Sequence, residues 1–107
     1  MSTYTPDVWV VLEFTTTKET FQKVFAGWYG GFAGANSWKL NSGITKTRKS
    51  DGYWEFDGYS GSTYRCHPNN YHMSGLMYDV LGNWLTQAAV RGDTQIRILS
   101  IDEIVES

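Results

Sequence analysis

The chain has 107 residues, of which 41% are hydrophobic, 16% aromatic and 19% charged, with a formal net charge of −2 at pH 7. That length builds one domain around a single modest core, and so rich an aromatic content excludes a disordered chain. The slight acidic excess argues against general DNA binding driven by phosphate contacts, which needs a surplus of Lys and Arg.

The N-terminal MSTYTPDVWVV lacks a basic segment followed by a long apolar one. No run approaches membrane-spanning length, so a soluble, cytoplasmic protein without a membrane partner is expected. Val8, Val10, Leu12 and Phe14 alternate with Trp9, Val11, Glu13 and Thr15, the period of a strand over 8–15 that is apolar on both faces at its start. After the polar TTTKE, the residues Phe21, Val24, Phe25 and Trp28 fit helical or strand spacing. Their aromatic and β-branched character selects a second strand. The following GWYGGFAGANSW (27–38) carries four glycines and reads as a shaped loop.

ITKTRK (44–49), SDG and YWEFD (53–57) form a strand, turn, strand signature, with Asp51 and Gly52 suited to the positive φ angles of a tight hairpin. GYSGS then reverses the chain before a short strand through Tyr64 and Cys66, which Pro68 stops. Alternation puts Tyr64 and Cys66 on one face of it, and Arg65 and His67 on the other. From Ser74 the period becomes helical: Leu76, Val80, Leu81, Trp84, Leu85 and Ala88 make one stripe, with Ser74 as N-cap and Gly92 just past the end. QIRILSI (95–101) is a last strand before an acidic tail. The expected architecture is α+β: a single domain over 1–107, with an antiparallel or mixed sheet of about five strands and one amphipathic helix, about 74–91, packed on one face.

Four chemistries were weighed against these elements. Cys66, His67 and His72 lack CxxC or HxxxH spacing, and neighbours on a strand point to opposite faces, so neither a metal nor another cofactor is expected. His67 or His72 with Ser60, Ser62 or Cys66 would make a small phosphodiesterase or related hydrolase, yet the serine stands in GxSG and not in the GxSxG of a nucleophile elbow. Binding is therefore preferred to catalysis, and no catalytic residue is assigned. Standard phosphate loops are missing too. Charge is nonetheless uneven: between Lys39 and His67 lie Lys39, Lys46, Arg48, Lys49 and Arg65 against Asp51, Glu55 and Asp57.

Aromatic stacking is the best supported of the four. Trp28, Tyr29, Trp38 and Tyr59 sit in or beside glycine-bearing loops, close in sequence to Asn41, Ser60, Ser62, Arg65 and His67. A nucleobase asks for that mixture, namely a ring to stack on, amides and hydroxyls for its edge, and cations for its phosphates. These nine residues are the candidate binding set. The ligand expected is small and nucleotide-like, and a homo-oligomer would supply further pocket wall.

With WYGGF, WKLNSGITK and GYSGSTYRCH followed by a Ser-led amphipathic helix, residues 27–85 resemble small tailed-bacteriophage accessory proteins. The resemblance implies an inhibitor of bacterial immunity in the host cytoplasm. Such a protein would sequester a cyclic nucleotide signal, cleave it, or bind and occlude a host protein, and the aromatic and serine-rich loops fit the first better than the second; no residue roles carry over.

Overall fold

In the computed structural model, which describes residues 2–107, two four-stranded sheets and one helix stack in three layers. The strands are β1 (Thr3–Tyr4), β2 (Val8–Thr16), β3 (Thr20–Trp28), β4 (Ser37–Leu40), β5 (Ile44–Ser50), β6 (Tyr53–Gly58), β7 (Thr63–Cys66) and β8 (Thr94–Ile98), with helix α1 (Gly75–Arg91) before the last. An outer sheet has the order β1-β7-β6-β5, and a central sheet the order β4-β3-β2-β8. All pairings are antiparallel except that of β1 with β7.

The double-sided apolar pattern of β2 explains the layering. Val8, Val10 and Leu12 face α1, where Phe25, Met77 and Leu81 join them, while Trp9 and Val11 face the outer sheet with Val24 and Ala26. A strand buried on both faces loses the apolar-in, polar-out alternation. Trp9 is the centre of the inter-sheet core. Its ring lies 5.5 Å from Phe56 and 4.7 Å edge-on from Tyr71, and its indole N–H donates to His67 O at 2.7 Å. The outer sheet contributes Trp54, Phe56, Tyr64 and Cys66. Burial pushes the Cys66 thiol far up, which makes it an inert packing group.

Local chemistry sets the element ends. Asp51 (φ 53°) and Gly52 (φ 80°) turn β5 into β6, as the SDG triplet predicts. Ser74 Oγ accepts from Met77 N–H at 3.3 Å to begin α1, and Gly92 (φ 72°) ends it with its N–H on Ala88 O at 2.8 Å. After β8, Leu99 N–H donates to Val11 O. Leu99 and Ile104 then enter the inter-sheet core, and the final residues run along the free edge of β5.

The α+β class holds, but one sheet of about five strands is corrected to eight strands in two sheets. The segment 27–38 is not a loop throughout: β3 extends to Trp28 and β4 starts at Ser37. β8 stops at Ile98 instead of 101, because Leu99 turns into the core. On α1 the buried line is Met77, Leu81 and Ala88, whereas Leu85, expected on it, is exposed. Among the described residues no helix is long and apolar enough to cross a membrane.

Candidate functional site

A concavity opens where the two sheets part, between β1 at one edge of the outer sheet and β4 at an edge of the central sheet. It is an open cleft of about 530 Å³ lined by Thr3, Tyr4 and Thr5 on one side and by Trp28, Ser37, Trp38 and Lys39 on the other. Two short strands make this mouth: two residues of β1 and four of β4 cannot close the sandwich over its full length.

Strand register decides what each side chain does there. Trp28 is paired with Ser37, and both face the outer sheet; Trp38, paired with Gly27, faces α1. The Trp28 indole N–H donates to Thr5 O at 3.0 Å, and its ring stands 6.3 Å from Tyr4 at 70°, so the indole is held in place. Tyr4 is tilted against Tyr64 at 5.1 Å behind it. Lys39 Nζ lies 5.1 Å from the centre of the Tyr4 ring and joins no ion pair among the described residues. Its charge is thus available to an anion, with aromatic faces beside it.

The predicted set of nine divides into four places. Trp28 and Trp38 border the cleft, and Tyr29 follows on the exposed loop with its N–H on Asp7 Oδ2 at 2.8 Å. Asn41 is buried: its Oδ1 accepts from Val24 N–H at 2.8 Å and its own N–H donates to Val24 O. Side chain and main chain together extend the ladder of β4 as the chain crosses between sheets, so Asn41 serves the fold where a ligand contact was predicted.

Tyr59 and Ser60 belong to the turn after β6. There the Tyr59 ring lies against Gly43, Ser60 N–H donates to Ser42 Oγ at 2.9 Å, and Ser62 O accepts from Gly58 N–H. Tyr59 lines a separate depression of about 360 Å³ with Phe21, Ile44 and Val105. Arg65 and His67 stand on the solvent face of the outer sheet, opposite to Tyr64 and Cys66, as alternation requires. Arg65 lies over Tyr53 at 4.1 Å and 3.6 Å from Glu55, while His67 Nδ1 accepts from Asn69 N–H at 3.1 Å. Beside them Arg48 bonds Glu55 and Asp57, and Thr63 donates to Asp57 at 2.8 Å.

No protein-family model, curated protein or solved structure matches this chain.

The geometry therefore speaks alone. Trp28, Trp38 and Tyr59 do not share one concavity. Five of the seven cleft residues, Thr3, Tyr4, Thr5, Ser37 and Lys39, lie outside the predicted set. Lys39 belonged to the basic surplus of the middle segment, but Tyr4 meets its partners only through the pairing of β1 with β7, for which so short a strand carries no periodic signal. The cleft hydroxyls of Thr3, Thr5 and Ser37 have neither a histidine nor a carboxylate among the lining residues. Among the described residues no three His, Cys, Asp or Glu side chains gather as a metal site would require.

Proposed function

We propose that this is a non-enzymatic binding protein that holds a small, anionic, ring-bearing ligand of the nucleotide kind in the cleft between β1 and β4. The observation that carries the proposal is the unpaired Lys39 ammonium set beside Tyr4 and Trp28, in a cleft whose volume falls within the usual range of ~300–1,000 Å³ for ligand sites. Trp28 and Tyr4 give a base or sugar its apolar contact, Lys39 counters a phosphate, and the hydroxyls of Thr3, Thr5 and Ser37 are at hand for polar edges. In line with the resemblance to phage accessory proteins, cyclic nucleotide signals are the ligands to try first. Release of such a signal unchanged would separate sequestration from hydrolysis by His67 or His72.

The test is calorimetric titration with cyclic mono-, di- and trinucleotides and with nucleoside monophosphates. A binder is expected among them, with affinity reduced about tenfold or more in Lys39→Ala or Trp28→Ala, the effect of one lost charged or stacking contact. Its recovery intact after protein denaturation is also expected. If none of these compounds binds at millimolar concentration, the proposal fails. Tyr29 and Trp38, 48% and 38% exposed at the rim, favour a second reading in which the same edge grips and occludes a host protein. Capture of one stoichiometric partner, lost in Trp38→Ala with nucleotides inert, would establish that instead.

A further inference from the structure

We infer that the edge of the molecule remote from the cleft is a self-association surface, where two copies join through β8 and one flank of α1. The first ground is hydrogen bonding. Leu99 N–H donates to Val11 O, and in an antiparallel ladder alternate residues point the same way, so Arg97 and Gln95 direct their amides to β2 while Ile96 and Ile98 direct theirs outward. Among the described residues nothing accepts from or donates to the amides of Ile96 and Ile98 on that side.

The other sheet edges are managed differently. β1 and β4 are too short to template a strand, and β5 is covered by the last residues of the chain. β8 has five residues and neither proline nor lysine, and its one charged side chain, Arg97, is held by Glu13 and Glu103.

The second ground is the apolar flank beside that edge. Trp84 packs on Trp38 of β4, so α1 leans that side toward β4. Tyr78, Gly82, Leu85 and Ala89 follow one another along α1 at spacings of four, three and four residues, on an exposed line beside the buried one of Met77, Leu81 and Ala88. None of the four is charged. Tyr78 is 60% exposed and Leu85 43%, and Ile98 on the adjoining strand is 42% exposed. Large apolar side chains next to an unpaired strand edge form a surface with both a hydrogen-bonding and a hydrophobic demand.

A second copy meets both demands. A strand edge is its own antiparallel complement under a two-fold axis, and the same axis lays the two α1 flanks side by side with opposed dipoles. The central sheet would become one of eight strands across two copies. A helix ~25 Å long over two layers each ~10 Å thick gives a patch of about 500 Å² on each copy, the size of a weak, transient interface. A weak pair of this kind is sought at micromolar to submillimolar chain. The clefts between β1 and β4 lie on the opposite edges, so both stay open in the pair.

Sedimentation velocity of the intact chain between about 5 and 500 µM tests this over that range. Expected is a concentration-dependent dimer that Ile98→Lys and Leu85→Lys each reduce to monomer, while Lys39→Ala at the far edge leaves it unchanged. Far-UV circular dichroism should be the same for all of them, since each side chain is exposed. A chain that stays monomeric throughout overturns the inference, as does a dimer indifferent to both lysine variants.

Discussion

The hydroxyl of Tyr71 stands between two strands. It accepts from Val11 N–H at 3.0 Å and donates to Leu99 O at 2.6 Å, so of the two bonds that pair Val11 with Leu99 one is direct, from Leu99 N–H to Val11 O, and the other runs through the phenol. Burial holds the phenol above its ordinary value, against the opposing pull of the Val11 N–H, which keeps the proton needed for Leu99. Tyr71→Phe would leave both backbone groups unpaired in the interior, at a cost of about 2 kcal/mol. Urea unfolding should show it as a lower midpoint with unchanged slope; an unaltered midpoint would mean that the strands close on each other without help.

On the outer sheet, the hydrogen bond from Arg48, followed by that from Thr63, holds the Asp57 carboxyl below its usual value. A carboxylate whose folded pKa is depressed stabilises the fold above the unfolded value, near 3.9, and that contribution fades as pH falls through the lower folded value. Asp57→Asn should therefore be less stable than the parent near pH 6, with the gap closing as pH is lowered below about 4. A gap constant with pH would assign the loss to packing and not to charge.

At the scale of elements, β3 and α1 depend on a missing side chain. A Cβ on Gly27 would run into the sulfur of Met77 and come within 3.2 Å of Val8 Cγ2, so Met77 in its present position packs against a bare position 27. Gly27→Ala is expected to cost about 1–3 kcal/mol by overpacking. Paired with Met77→Ala, which alone opens a cavity, it should cost less than the sum of the two, because each change relieves the other. Additive losses in thermal melts of the double variant would show that the collision is absorbed elsewhere.

What was legible in the sequence follows the same logic. Val8 to Phe14 announced a strand, and their apolar content on both faces already implied cover on both sides, although a single sheet under one helix leaves one face open. The hairpin at Asp51 and Gly52 and the helix between Ser74 and Gly92 were readable because turn and cap chemistry is local. β1 and β4 were not, since two and four residues carry no period, and their place is set by partners far along the chain. Trp28 and Trp38 stand out beside the glycine loop between them, and both border the cleft between β1 and β4. The burial of Asn41 was not legible, because an amide whose Oδ1 completes a ladder looks, in sequence, like one offered to a ligand.

At the scale of the whole molecule, the two sheets end in opposite ways. The free edge of β5 is closed by the chain itself: Ser107 N–H donates to Thr47 O at 2.8 Å, Thr47 N–H to Ser107 Oγ at 2.8 Å, and Lys49 N–H to Glu106 Oε1 at 3.0 Å. These contacts occupy the N–H groups of Thr47 and Lys49 and the carbonyl of Thr47 on the outer side of β5, and Ile104 anchors the strap in the inter-sheet core. Deleting Glu106 and Ser107 removes three hydrogen bonds at a partly exposed edge, which should lower stability by about 1–2 kcal/mol. The larger consequence concerns association, because an uncovered strand beside the depression lined by Phe21, Ile44 and Val105 becomes a second template for pairing. If β8 also joins copies, the shortened chain has an adhesive edge on each sheet, and a closed pair gives way to open-ended assembly. Light scattering should then rise with time and concentration for the shortened chain, and Ile98→Lys in the same chain should restrict it to small species. Equal, flat scattering from the full and shortened chains would show that the strap contributes stability alone.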